Sequence, residues 1–132
     1  MTKKIFKSNI LVAVVVLIFG IACVMAILYQ HFGKQIDREL KKEATYLVYG
    51  VEQNGVDYLN QIKEKDDRIT YIAEDGTVLY DNQADVSSME NHSDRKEVQE
   101  AMKSGSGRAE RDSKTLSQKT IYYALRLSDN TV

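Results

Sequence analysis

The stretch Arg68-Ile69-Thr70-Tyr71-Ile72-Ala73-Glu74-Asp75-Gly76-Thr77-Val78-Leu79-Tyr80-Asp81-Asn82 decides the fold. Ile69, Tyr71 and Ala73 alternate with Thr70 and Ile72, Asp75-Gly76 intervenes, and Val78 and Tyr80 then alternate with Thr77 and Leu79. A period of two places successive side chains on opposite faces of a strand. Asp-Gly between two such runs supplies the positive φ angles that short hairpin turns need. The stretch predicts two antiparallel strands and a tight turn, the seed of a small antiparallel sheet.

A short helix and further strands follow. Asp94 with Glu97 three residues later makes a capping-box-like start, Val98, Ala101 and Met102 form one face, and Gly105 suits the stop. Residues 107–115 read as a polar, edge or exposed strand. Residues 119–127 alternate, with Ile121, Tyr123, Leu125 and Leu127 on one face. Ser128-Asp129-Asn130 reads as a turn, and only Thr131 and Val132 follow it. The expectation is a last strand truncated inside a hairpin, in a fragment of a longer protein.

Upstream, Ile36, Leu40, Ala44, Leu47, Val48, Val51, Val56, Leu59 and Ile62 recur mostly at steps of three and four, the pattern of an amphipathic helix over about 33–62. Gly50 and Gly55 lower helix propensity, so a break or bend is expected near Gln53 to Gly55. A helix leaving a membrane on one apolar stripe is well placed to pair with a second copy.

That helix continues from an apolar run. From Ser8 to Gly33 no side chain carries a formal charge except a possible one on His31, and Ile10 to Tyr29 is almost purely aliphatic. About 20 such residues at 1.5 Å each form a helix of roughly 30 Å, the thickness of a bilayer's hydrocarbon core. Lys3, Lys4 and Lys7 precede the run with no acid among them, which predicts a cytoplasmic N-terminus and an exported downstream part. Lys34, Arg38, Lys41 and Lys42 on the far side oppose that orientation, diluted by Asp37, Glu39 and Glu43. The run exceeds the length of a cleaved signal's apolar core, so an uncleaved anchor is the reading. Four segments result: a cytoplasmic 1–7, a transmembrane helix over 8–30, a membrane-proximal signalling helix over 31–64, and an extracytoplasmic domain over 65–132.

Composition narrows the function classes. All 19 acidic side chains but only part of the 18 basic ones lie beyond residue 30, with no long tract of one sign, which argues against a nucleic-acid surface. Cys23 is the only cysteine, so no intramolecular disulfide forms. No Gly-x-Ser-x-Gly, Cys-His or His-Glu-x-x-His arrangement occurs, and no catalytic residue is identified. Asp81, Asp85, Glu90 and Asp94 match no calcium-loop spacing, and no metal site or cofactor is assigned.

The stretch from Arg68 to Asn82, with Asn91-His-Ser-Asp-Arg-Lys-Glu-Val-Gln-Glu-Ala101, Arg111-Asp-Ser-Lys-Thr-Leu116 and Tyr122-Tyr-Ala124, resembles the N-terminal sensor region of Gram-positive sensor histidine kinases of the PhoR and WalK type. It departs from them at Lys96 and Arg126, where proline is expected. The resemblance implies an α+β fold: a transmembrane helix continuing into a long amphipathic helix, then a PAS-like (PDC- or Cache-like) antiparallel sheet with a short helix. It also implies a homodimeric receptor in the bacterial cell membrane that meets an extracytoplasmic ligand or envelope component. The parent kinase would use ATP and magnesium to phosphorylate its own histidine and pass the phosphate to a response regulator. Neither a phosphoacceptor histidine box nor an ATP lid occurs in this sequence. The same sensor region could serve a chemoreceptor or a cyclase, or the chain could be a small anchored surface or ligand-binding protein without an output domain.

Two readings stand for the polar residues before the short helix. In one, Asn91, His92 and Asp94 tie down the loop through backbone hydrogen bonds. In the other, His92 and Arg95 contact an anionic ligand or form a pH-sensitive element. Tyr71 and Tyr123 are core and strand residues in the plainer reading, and line a small ligand pocket between sheet and helix in the other. Asp75, Gly76, Asn91, Asp94 and Glu97 are assigned to structural motifs.

Overall fold

Asn54 and Gly55 mark where the long N-terminal helix ends. A computed structural model describes residues 2–62, 67–113 and 118–132. Helix α1 runs unbroken over Thr2–Asn54, and α2 follows over Asp57–Gln61. Between them Gly55 adopts φ 72°, and its N–H closes on the Val51 carbonyl at 2.7 Å. A left-handed residue after the last turn is the usual helix stop, and glycine enters it without a Cβ penalty. The break expected near Gln53 to Gly55 is there. The expected segment boundary between 64 and 65 lies outside the described residues.

The chain divides into Met1–Glu39 and Leu40–Val132. In the first, helix α1 carries an 18-residue window of mean hydropathy 3.3 with none of it buried. Among the described residues this is one helix long and apolar enough to cross a membrane. Side chains such as Leu11, Phe19 and Ile27 are more than half exposed, an arrangement that lipid satisfies and water does not.

The second unit holds strands β1, Thr70–Ile72, and β2, Val78–Asp81, paired antiparallel. A 3-10 turn covers Val86–Ser88, helix α3 covers Lys96–Ser104, and strands β3, Ser106–Ser113, and β4, Gln118–Leu125, form a second antiparallel pair. This is the expected α+β order of a Cache- or PAS-like fold. The expected end of the third strand, at Thr115, lies outside the described residues.

The hairpin loop differs from a two-residue turn. Gly76 N–H donates to the Ala73 carbonyl at 2.9 Å and Ala73 N–H to the Thr77 carbonyl at 2.8 Å, so three residues, Glu74 to Gly76, form the loop. Only Gly76 takes a positive φ, 86°, because a three-residue loop needs one left-handed residue where a two-residue loop needs two. The turn expected at Ser128-Asp129-Asn130 has the same pattern: Asn130 N–H donates to Leu127, Leu127 N–H to Thr131, and Asn130 has φ 65°. Past it, Val132 and Ile72 exchange both backbone hydrogen bonds, at 2.8 and 2.9 Å, extending the pairing along the free edge of β1.

Two apolar clusters hold this unit together. Val51, Leu59, Tyr71 and Leu127 join α1 and α2 to β1 and the segment just after β4. Ile72, Val98, Ala101, Ala124 and Val132 join α3 to the strands. The packed face of β3 and β4 is the one with the small residues Gly107, Ala109 and Ala124, shared with Tyr122, rather than the one with Ile121, Tyr123 and Leu125. Close approach of α3 decides this, since a Cβ on Gly107 would lie 1.9 Å from the Glu97 carbonyl oxygen. Ile121, Tyr123 and Leu125 do share a face, the half-buried one, while Leu127, expected with them, lies past the end of β4 and is buried.

The start of α3 corrects the expected capping box. Arg95 is the N-cap, no side chain caps the helix, and Asp94 lies exposed one residue before it. Glu97 turns inward and pairs with Arg111 of β3 instead of reaching back along its own helix.

Candidate functional site

Within the second unit, residues of α1 from Leu40 onward, both strand pairs and the segment from Gln83 to Val98 surround an open cavity of about 920 Å³. Its helix wall is apolar, with Leu40, Ala44, Leu47, Val48 and Val51 at helical spacing. Its sheet wall carries Tyr71, Tyr122 and Tyr123. His92, Arg95, Glu97 and Arg111 supply the polar end. Polar and apolar surface contribute almost equally to the lining, and a concavity on which polar side chains converge is a candidate small-molecule site.

All four residues singled out for ligand contact line this one cavity. Tyr71, on β1, is 8% exposed and its hydroxyl is hydrogen-bonded to Thr131 Oγ1 at 3.0 Å. Tyr123, on β4, is half-buried. His92 sits in the loop before α3, also half-buried, and its Nδ1 is buried without a hydrogen-bond partner among the described residues. Arg95 closes that loop through its backbone N–H, which donates to the His92 carbonyl at 3.1 Å, and its guanidinium has no partner among the described residues. With no side-chain cap, the first N–H groups of α3 also stand free of a carboxylate or hydroxyl cap beside it.

The loop itself is fixed from below. Asn91 Nδ2 donates to the Asp75 carbonyl at 2.9 Å, Asn91 Oδ1 accepts from Ser93 N–H at 2.8 Å, and His92 N–H donates to the Gly76 carbonyl at 2.8 Å. Gly76 is required for this contact as well as for the turn, because a Cβ there would lie 2.4 Å from Asn91 Oδ1 and 2.5 Å from Ser93 N. Asp75 accepts from Thr77 N–H at 2.9 Å, and that hydrogen bond holds its carboxyl below the ordinary 3.8. Thus Asp75, Gly76 and Asn91 join in one structural motif, while Asp94 stands apart from it.

Sequence reasoning missed the pair of Glu97 and Arg111 and the place of Tyr122. The Glu97 side chain is 8% exposed, and its Oε2 is buried without a partner among the described residues. Arg111 is hydrogen-bonded to its Oε1 and lies over the Tyr122 ring, 4.1 Å from the centroid. Burial alone would lower the Arg111 pKa, but the Glu97 carboxylate outweighs it and raises it. The signal was an arginine in register with Gly107 and Ala109, a charge on a face of small residues.

Asp81 is the other buried acid here. It accepts from Arg68 Nε at 2.9 Å, Thr70 Oγ1 at 2.7 Å, and the N–H groups of Gln83 and Ala84 at 2.9 Å each. Burial pushes its pKa up, and the four donors more than offset this, leaving it below 3.8. Asp85 caps the 3-10 turn through Ser87 N–H. Among the described residues no group of three His, Cys, Asp or Glu side chains could hold a metal ion.

Residues 30–131 match the family described as Single Cache-like. Neither the curated proteins nor the solved structures include a match to the chain.

Proposed function

The chain belongs to the single Cache-like family, ligand-sensing domains found in sensor kinases, chemoreceptors and other receptors, and on that premise we propose that it is the anchored sensor region of a two-component histidine kinase. In this reading residues 8–30 span the membrane with 1–7 in the cytoplasm, 31–64 carry the signal, and 65–132 lie outside the cell of a Gram-positive bacterium. Two copies would pair. The kinase activity, with its ATP and magnesium, would belong to sequence beyond Val132, and the response regulator would be a separate partner reached through that kinase region. The resemblance carried by Asn91-His92, Arg95 and Glu97 favours the kinase over a chemoreceptor or cyclase.

The observation that supports sensing is the meeting of His92, Arg95, Tyr71 and Tyr123 around one cavity, with the Arg95 guanidinium and His92 Nδ1 unpartnered among the described residues. A buried polar atom without a partner costs about 1–3 kcal/mol, which a ligand that bonds it would recover. The cationic Arg95 beside an uncapped helix start suits an anionic group. An anionic ligand bound there would shift the population of two arrangements of α1 and so reach the span.

A thermal-shift screen of the full chain in lipid nanodiscs against small carboxylates, inorganic phosphate and cell-envelope fragments tests the reading. A ligand at a hundred times its dissociation constant stabilises by about 2.7 kcal/mol, a readily seen shift. Arg95→Ala and His92→Ala should abolish the shift while each variant still unfolds cooperatively. A shift that survives both variants overturns the assignment of this site. Expression of the gene with the downstream reading frame, followed by incubation with ATP, separates the kinase from the other receptors.

A further inference from the structure

The two matched loops, Glu74 to Gly76 and Ser128 to Asn130, sit in series between the cavity's polar end and helix α1. We infer that they form a hydrogen-bonded relay that couples the His92 loop to α1 at Glu52. The inference rests on the reading that ligands act at His92 and Arg95, and it concerns the route by which such an event leaves the cavity.

The first contact is between His92 and the first loop. His92 N–H donates to Gly76 and Asn91 Nδ2 to Asp75, and the approach leaves no room for a Cβ on Gly76. With that little clearance, a displacement of the His92 loop moves the first loop with it rather than being absorbed between them.

The second contact is between the loops. Asn130 Nδ2 donates to Glu74 Oε1 at 3.4 Å, Thr131 Oγ1 and the Tyr71 hydroxyl are hydrogen-bonded at 3.0 Å, and Ile72 and Val132 exchange both backbone bonds. Three ties, two between side chains and one a backbone pair, join the same two short segments. Each loop is stiffened by its own aspartate, Asp75 to Thr77 N–H at 2.9 Å and Asp129 to Thr131 N–H at 3.0 Å.

The third contact reaches the helix. Ser128 N–H donates to Glu52 Oε1 at 3.0 Å, 76 residues apart in sequence, and beside it Leu127 packs with Val51. Glu52 lies in the last turn of α1, just before the Gly55 stop. The relay therefore enters α1 in its last turn, where fewer backbone hydrogen bonds resist a small rotation than in the helix interior. No ligand is needed for the coupling to exist, because the contacts are already made.

Hydrogen exchange of the full chain in nanodiscs, without any ligand, tests it. Glu52→Ala removes the acceptor of the Ser128 amide and should speed exchange at Ser128 directly. If the relay is one cooperative unit, exchange at the His92 and Gly76 amides should also rise, by roughly three- to tenfold, as loss of about one hydrogen bond per unit gives. Asn91→Ala should act in the reverse direction, speeding the Ser128 amide from the cavity side, and Glu52→Gln, which keeps an acceptor oxygen, should restore most of the protection. Faster exchange confined to Ser128 in Glu52→Ala, with His92 and Gly76 unchanged, overturns the relay even if the ligand screen succeeds. A coupled response upholds it even if that screen finds nothing.

Discussion

Gly76 and Asn130 hold the same position in two loops of identical hydrogen-bond pattern, with φ of 86° and 65° and an aspartate immediately before each. Left-handed backbone is open to glycine and tolerated by asparagine. The loops differ in what lies above the third residue. Gly76 faces Asn91 Oδ1 and Ser93 N at distances too short for any side chain. Exchanging the residues should expose the difference. Asn130→Gly is expected to leave stability within about 0.5 kcal/mol, whereas Gly76→Asn should cost roughly 2 kcal/mol through overpacking on Asn91. Urea unfolding of the two variants checks this, and equal costs would contradict the distinction.

Acid should loosen the same region. The carboxyls of Asp75, Asp81 and Asp129 all lie below the ordinary 3.8, through hydrogen bonds to the charged form, with Asp81 also working against burial. A carboxyl lowered in the folded state binds its proton more readily when unfolded. Its contribution is complete above the unfolded value and disappears as pH falls through the folded one. Melting temperature should therefore be steady above about pH 5 and fall below about pH 4. Asp81→Asn should melt lower at neutral pH and show a shallower fall, so that variant and parent converge in acid. A parallel pair of curves would show that Asp81 is not responsible.

Gly107 offers a test of how α3 is seated. Its missing side chain lets the Glu97 carbonyl approach the strand, and α3 presses Val98 and Ala101 on the face that Ala109 and Ala124 share. Gly107→Ala should force α3 away from β3 and cost about 1–3 kcal/mol. Protection of the α3 amides should fall more than that of β1 and β2. A uniform loss across the unit would mean that α3 and the hairpin open together.

The sequence made the long elements legible because each carries a repeating physical signal. The apolar run from Ile10 to Tyr29, the helical spacing from Ile36 to Val51 and the alternation around Asp75-Gly76 each recur often enough to override single residues. Glu97 was different. Three residues after Asp94 it fits a capping box, and nothing local says that a strand bearing Arg111 will pass beneath it, 14 residues away. The choice of buried face on β4 failed to show for a related reason, since Ile121, Tyr123 and Leu125 are the more apolar set. Packing chose Ala124 instead, because a helix must lie close against Gly107. The cavity residues were found individually as types, and only the fold brings Tyr71, His92, Arg95 and Tyr123 around one space.

The pair of Glu97 and Arg111 carries the sharpest expectation for stability. Glu97 is buried with one oxygen on Arg111 and the other unpartnered among the described residues, so its charge depends on a single guanidinium. Arg111→Met removes that guanidinium and its stacking on Tyr122 while keeping much of the side-chain volume. The carboxylate is then left with no compensating charge, and breaking a buried pair from one side costs about 3 kcal/mol. Glu97→Met alone should cost less, because Arg111, 31% exposed, can turn toward water. Replacing both residues by methionine should recover most of the loss, since it also removes the unpartnered oxygen. A double-mutant cycle of urea unfolding measures the three variants together. Additive losses would show that the two side chains do not support each other in the folded domain.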